Sequence, residues 1–187
     1  MSEQPGRYQR SASGLVGALL VLLLVVGGIV LVRALGRNEL EVRPETVDYL
    51  PVVEVVQEAG QRVAYPLQLP DGWQATSVES APGAAAVFGL GMLTDDDDFA
   101  GIRQESVPLA DLVEVYVDEN ATPDGTVRAG TGELAGEWHA FTDEGGDTGF
   151  GMERPDTTVL VYGSASREDL LALLDQLTVD PVPPPTG

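Results

Sequence analysis

The apolar and polar positions divide the chain into one long hydrophobic run followed by a mosaic of short ones. From Ser11 to Val32, 22 consecutive residues carry no charge, and the stretch from Leu19, LLVLLLVVGGIVLV, is almost wholly Leu, Val and Ile. As a helix this run rises about 33 Å, enough for a hydrocarbon core of about 30 Å, and a helix satisfies its own backbone there. A cleaved signal peptide would have an apolar region of about 7–15 residues and a small-x-small cleavage site. Here the run continues into Val32-Arg33-Ala34-Leu35-Gly36, a poor site for cleavage. The pattern predicts a single transmembrane helix over residues 11–35, preceded by a short cytoplasmic N-terminus over 1–10. Arginines flank both ends, so the positive-inside count does not fix the orientation. The short N-terminus with Arg7 and Arg10 makes N-inside, C-terminal domain outside the default. Ser13, Gly14, Gly17 and Ala18 place small residues at helical spacing, which would allow a helix-mediated dimer.

Beyond a charged spacer over 36–46, the apolar residues form short runs that predict one α+β domain over 47–180. Val52, Val53, Val55, Val56 and Ala59 approximate a helical stripe, with Gly60 placed to end it. Pro66 and Pro70 impose an extended run, Asp71-Gly72 is a turn signal, and Trp73 caps the core. Strands are predicted at Gln74–Glu79 and Ala85–Leu93, and at Phe99–Glu105, where Ala100, Ile102 and Gln104 alternate with Phe99, Gly101 and Arg103. Asp95–Asp98 form the loop between the last two strands. Pro108 opens a helix carrying Leu109, Leu112, Val113 and Tyr116 on one face. Asn120–Gly132 reads as a loop, Glu137–Thr142 and Thr157–Tyr162 as strands, and the glycine-rich Asp143–Gly151 as a connecting turn. A final helix has Ser166 as N-cap, Glu168 and Asp169 in its first turn, and Leu170, Leu171, Leu173, Leu174 and Leu177 as its apolar face. A proline-rich tail follows over 181–187. The expected architecture is an antiparallel sheet with two or three helices covering one face.

Charge sharpens this picture. The chain has a net charge of −20, no lysine and no cysteine. From Pro44 onward 27 acidic residues face 5 arginines, so the domain carries 5 − 27 = −22. Such a domain repels nucleic acid and anionic headgroups; its acidic surface serves solubility or docks a basic protein. Without cysteine there is no disulfide, thiolate nucleophile, zinc–thiolate site or lipidated N-terminal cysteine.

Several motifs in order resemble a known family. They are Tyr65-Pro66-Leu67-Gln68-Leu69-Pro70-Asp71-Gly72-Trp73 with Thr76-Ser77, Gly91-Met92-Leu93-Thr94, Phe99 to Ser106, Gly136-Glu137-Trp138, and Thr158 to Ala165. With the anchor, this set is similar to DUF4245, an actinobacterial group of membrane-anchored proteins described as a domain of unknown function. The acidic loop departs from the family's pattern, which is nearer Thr-Pro-Asp-Gly. The resemblance implies an anchor plus a small α+β domain and brings no catalytic residues. The order of elements is also similar to the PsbP and Mog-one type of fold, an analogy of architecture that licenses no function.

Candidate chemistry is sparse. His139 is the one histidine, flanked by Trp138 and Ala140 on a predicted strand, where a structural or solvent-facing role is expected over a catalytic one. Gly163-Ser164-Ala165-Ser166 is a strand-to-helix turn, not a nucleophile elbow. Asp95–Asp98 offer oxygen ligands to Ca²⁺ but lack the spaced pattern and the distal glutamate of a calcium loop. The glycines from Gly125 to Gly136 are not followed by a lysine and a helix, as a phosphate loop requires. Trp73 and Trp138 read as core residues. No catalytic, cofactor-binding or metal residue is assigned, and no cofactor is expected. The expected function is a membrane-anchored, extracytoplasmic, non-catalytic module that holds an envelope partner or a ligand. The alternative is a hydrolase using carboxylates or His139.

Overall fold

A computed structural model describes residues 45–81 and 87–184. The chain divides into two units at Arg43/Pro44, and all described residues belong to the second. The predicted span over 11–35 lies outside the described residues; among those described, no helix is long and apolar enough to cross a membrane.

The described fold is α+β. Strands β2 (Gln74–Ala81), β3 (Val87–Leu93) and β4 (Phe99–Glu105) form one antiparallel meander. Strands β5 (Thr122–Ala129), β6 (Gly136–Thr142), β7 (Thr148–Glu153) and β8 (Thr158–Gly163) form a second. The two join along β4 and β8, giving a seven-stranded sheet of order β2-β3-β4-β8-β7-β6-β5. A two-stranded ladder pairs β1 (Tyr65–Pro66) with β9 (Leu177–Thr178), near the two ends of the domain.

Period-2 alternation sorts the strand residues onto two faces. Phe88, Leu90, Met92, Ala100, Ile102, Trp138, Ala140, Phe150, Val159 and Val161 point to one face, where they pack with helices α1 (Leu50–Glu58) and α3 (Arg167–Gln176). Helix α2 (Leu109–Tyr116) lies on the other face, where Leu109, Leu112 and Val113 cluster with Leu160. The helices thus cover both faces, which corrects the expectation of one. The cause lies in β7. A Cβ on Gly149 would sit 2.7 Å from Val117, and one on Gly151 would run into Leu109, so these glycines open the space that α2 occupies.

Two loops of the sequence reading are therefore strands. Asp143–Gly151 turns only as far as Asp147 and then runs into β7. The stretch read as a loop over Asn120–Gly132 contains β5, an edge strand with a register shift between Pro123 and Thr126 and a left-handed Gly125. Its residues are mostly exposed, so no apolar alternation marks it, and proline and glycine are tolerated at a bulged edge. Leu177, read as part of the last helix, is the buried first residue of β9. Elsewhere local signals hold. Gly60 ends α1 with φ +82°, and the Ser166 hydroxyl accepts a hydrogen bond from the Asp169 N–H at the start of α3.

Candidate functional site

A cleft of about 750 Å³ opens at one end of the sheet, where the chain leaving α1, the start of β3, the end of β4 and the β7–β8 turn converge. A second hollow of about 420 Å³ lies against the same turn, beside the start of α2. The walls of the larger cleft are anchored by polar side chains. Gln104 sits on the inward face of β4 with Ala100 and Ile102 and is buried. Its Oε1 accepts from the Ala64 N–H at 2.8 Å, and its Nε2 donates to the Arg62 carbonyl at 2.7 Å. One side chain therefore satisfies a donor and an acceptor of the segment that leads into β1, fixing Arg62 against the sheet end. Ser106 donates to the Asp156 carbonyl at 2.9 Å, and the Arg154 N–H closes the β7–β8 turn onto the Thr157 carbonyl at 2.8 Å.

Two arginines line this cleft, Arg62 and Arg154. Glu133, on the short 3-10 turn Gly132–Leu134 that precedes β6, pairs with both: one carboxylate oxygen takes Arg62 Nη2, and the other takes Arg154 Nη2 at 3.3 Å. The Arg62 hydrogen bond, joined by the Arg154 charge, holds the Glu133 carboxyl below the ordinary glutamate range and raises the Arg62 guanidinium. Glu133 is half-exposed, so the pairs add little to stability. Their effect is positional, since two like charges are held side by side. Arg154 Nη1 is sealed from solvent and has no hydrogen-bond partner among the described residues. Among the described lining residues, Asp156 is the one carboxylate, and none is a histidine.

The residues singled out from sequence lie elsewhere. His139 is exposed in the middle of β6, in register with Gly151 and Thr126, and lines neither hollow. Ser164 accepts from the Phe99 N–H at 3.0 Å, and Ser166 caps α3, so both hydroxyls serve the turn. Asp95–Asp98 form an exposed hairpin tip, in which Thr94 Oγ1 accepts from the Asp96 and Asp98 N–H groups and Asp97 takes φ +64°. Among the described residues no three potential metal ligands cluster. Trp138 is fully buried and donates to the Leu134 carbonyl at 3.2 Å; Trp73 packs at the core's edge. The cleft arginines were missed. Two signals pointed to them: Gln104 as a polar residue on an otherwise apolar strand face, and the scarcity of arginine in this domain.

The model of one protein family, described as a protein of unknown function (DUF4245), matches residues 7–177. The chain belongs to this family. No curated protein and no solved structure matches it. For this DUF4245 chain, the matched span encloses the cleft residues Arg62, Gln104 and Arg154, and Glu133 that pairs with the two arginines.

Proposed function

We propose that this DUF4245 protein is a single-pass, membrane-anchored binding module, with its domain outside the cell membrane and a small molecule held in the cleft at the sheet end. The observation that carries this reading is the make-up of that cleft. It is a pre-formed hollow of about 750 Å³, within the size range of ligand pockets, and the backbone of its walls is held by Gln104 and Ser106. It offers donors for recognition, and among the described residues its lining has a lone exposed Asp156 and no histidine, not the paired acid and base that hydrolysis uses. The uncharged run over Ser11–Val32 supports the anchor.

The test uses the full-length chain in a neutral detergent, screened by thermal unfolding against fractions of soluble envelope metabolites. A fraction that stabilises the wild type saturably, and fails to stabilise a Ser106→Trp variant with its cleft filled, is the expected result. Turnover of chromogenic esters, phosphates or glycosides that disappears in His139→Ala would overturn the reading in favour of a hydrolase.

A further inference from the structure

Within that binding reading, on which this inference rests, we infer that the cleft recognises the oxyanion of a small organic molecule, a carboxylate or phosphate group gripped by Arg62 and Arg154. The domain from Pro44 onward has five arginines against 27 acidic residues, yet two of the five meet at this one hollow. Of the other three, Arg103 is taken by Glu79 and Glu105, and Arg167 by Asp124, in ion pairs away from the cleft, while Arg128 stands exposed on the edge strand β5. Arg62 and Arg154 differ in sharing a single carboxylate, Glu133, so the trio carries a residual positive charge. Glu133 lies outside the cleft lining, whereas both arginines line it, together with one exposed carboxylate, Asp156.

Donor capacity points the same way. A guanidinium has five N–H donors in a planar fork that matches carboxylate and phosphate oxygens. Each of these two arginines spends one terminal nitrogen on Glu133. Arg154 Nη1 has no partner among the described residues, although it is sealed from water. A charged donor left unmet in a protein wall is costly, and a small shift of the side chain toward an anion in the cleft would remove that cost. The surrounding field of the acidic domain opposes stray anions, so affinity must come from local contacts rather than steering. That favours a ligand with further groups to fill a cleft of about 750 Å³, well beyond the size of a bare ion.

The experiment measures thermal unfolding of the full-length chain in neutral detergent with inorganic phosphate or succinate as probes, against sodium chloride at matched ionic strength. Wild type should gain a saturable stabilisation from phosphate or succinate beyond that of chloride. Arg62→Gln, a change at a half-exposed side chain that leaves the core untouched, should weaken the anion midpoint about tenfold, the scale of one charged hydrogen bond. Arg154→Met should do the same where it folds, and Arg62→Gln alone decides where it does not. Anion stabilisation that survives Arg62→Gln, or that never exceeds chloride in the wild type, would overturn the oxyanion reading. If a metabolite fraction still stabilises the wild type and not Ser106→Trp, the binding reading stands while this inference falls. If no fraction does, both fall.

Discussion

Gly151 sits in the middle of β7 with the side chain of Leu109 directly above it, and even a methyl group there would overlap that leucine. Gly151→Ala should therefore cost about 1–3 kcal/mol of stability, measured by urea unfolding, because helix α2 must lift from the sheet. A neutral result would show that α2 does not rest on β7. This position also explains one failure of the sequence reading. A glycine-rich acidic stretch looks like a turn, and nothing local reveals that its last glycines lie beneath a helix from elsewhere in the chain. Tyr49 gives a second test at this scale. Its buried hydroxyl donates to the Pro66 carbonyl at 2.7 Å, and burial, with the nearby Tyr65 and Asp48, pushes its pKa up to about 12 from 10.0. The folded state thus disfavours the tyrosinate. The stability linked to Tyr49 is fully present below pH 10.0 and is lost as pH rises through about 12. Tyr65, Tyr116 and Tyr162 are raised as well, chiefly by burial. Alkaline titration followed by tyrosinate absorbance should show ionisation coupled to unfolding; free titration of all tyrosines near the ordinary value would contradict the burial.

Among the elements, the last helix was the most legible, because capping and apolar spacing agree. Ser166 supplies the N-cap, and Leu170, Leu173 and Leu174 are fully buried on the sheet. Leu174→Ala should cost about 2–5 kcal/mol and Ser166→Ala about 1 kcal/mol, both read from urea unfolding. An unchanged midpoint for Leu174→Ala would deny the docking of this helix. Helix α2 and strands β2, β3, β4, β6 and β8 were also visible in hydrophobic period, whereas β5 was not. At an edge both faces meet water, so the period that marks a strand is absent, and its proline and bulge imitate a loop. The cleft lies on a similar blind spot. Its parts come from four separate segments, and its local signals, Gln104 on an apolar strand face and the scarcity of arginine, do not by themselves bring those segments together.

For the whole molecule, the excess of acid dominates. Self-repulsion among 27 carboxylates should make thermal stability rise as salt increases from low to about 0.15 M, where the Debye length is about 8 Å. Sodium and calcium chloride at equal ionic strength should act alike. A saturable extra effect of Ca²⁺, lost when Asp95–Asp98 are all changed to Asn, would instead place a metal site on that hairpin tip. Protease added to intact, wall-stripped cells should remove a C-terminal tag, and full protection would reverse the proposed topology. The pairing of β1 with β9 has a further consequence, in the order of folding. Tyr65 donates to the Asp180 carbonyl, and Gln57 bonds both Asp180 and Val182 across 123 and 125 residues of sequence. Synthesis runs from the N-terminus, so Tyr65 and Gln57 wait for these partners until the latest segment of the domain emerges. The clasp acts as a check on completeness: a chain broken off before Asp180 leaves Tyr65 and Gln57 without their partners, and its open end exposes it to proteolysis.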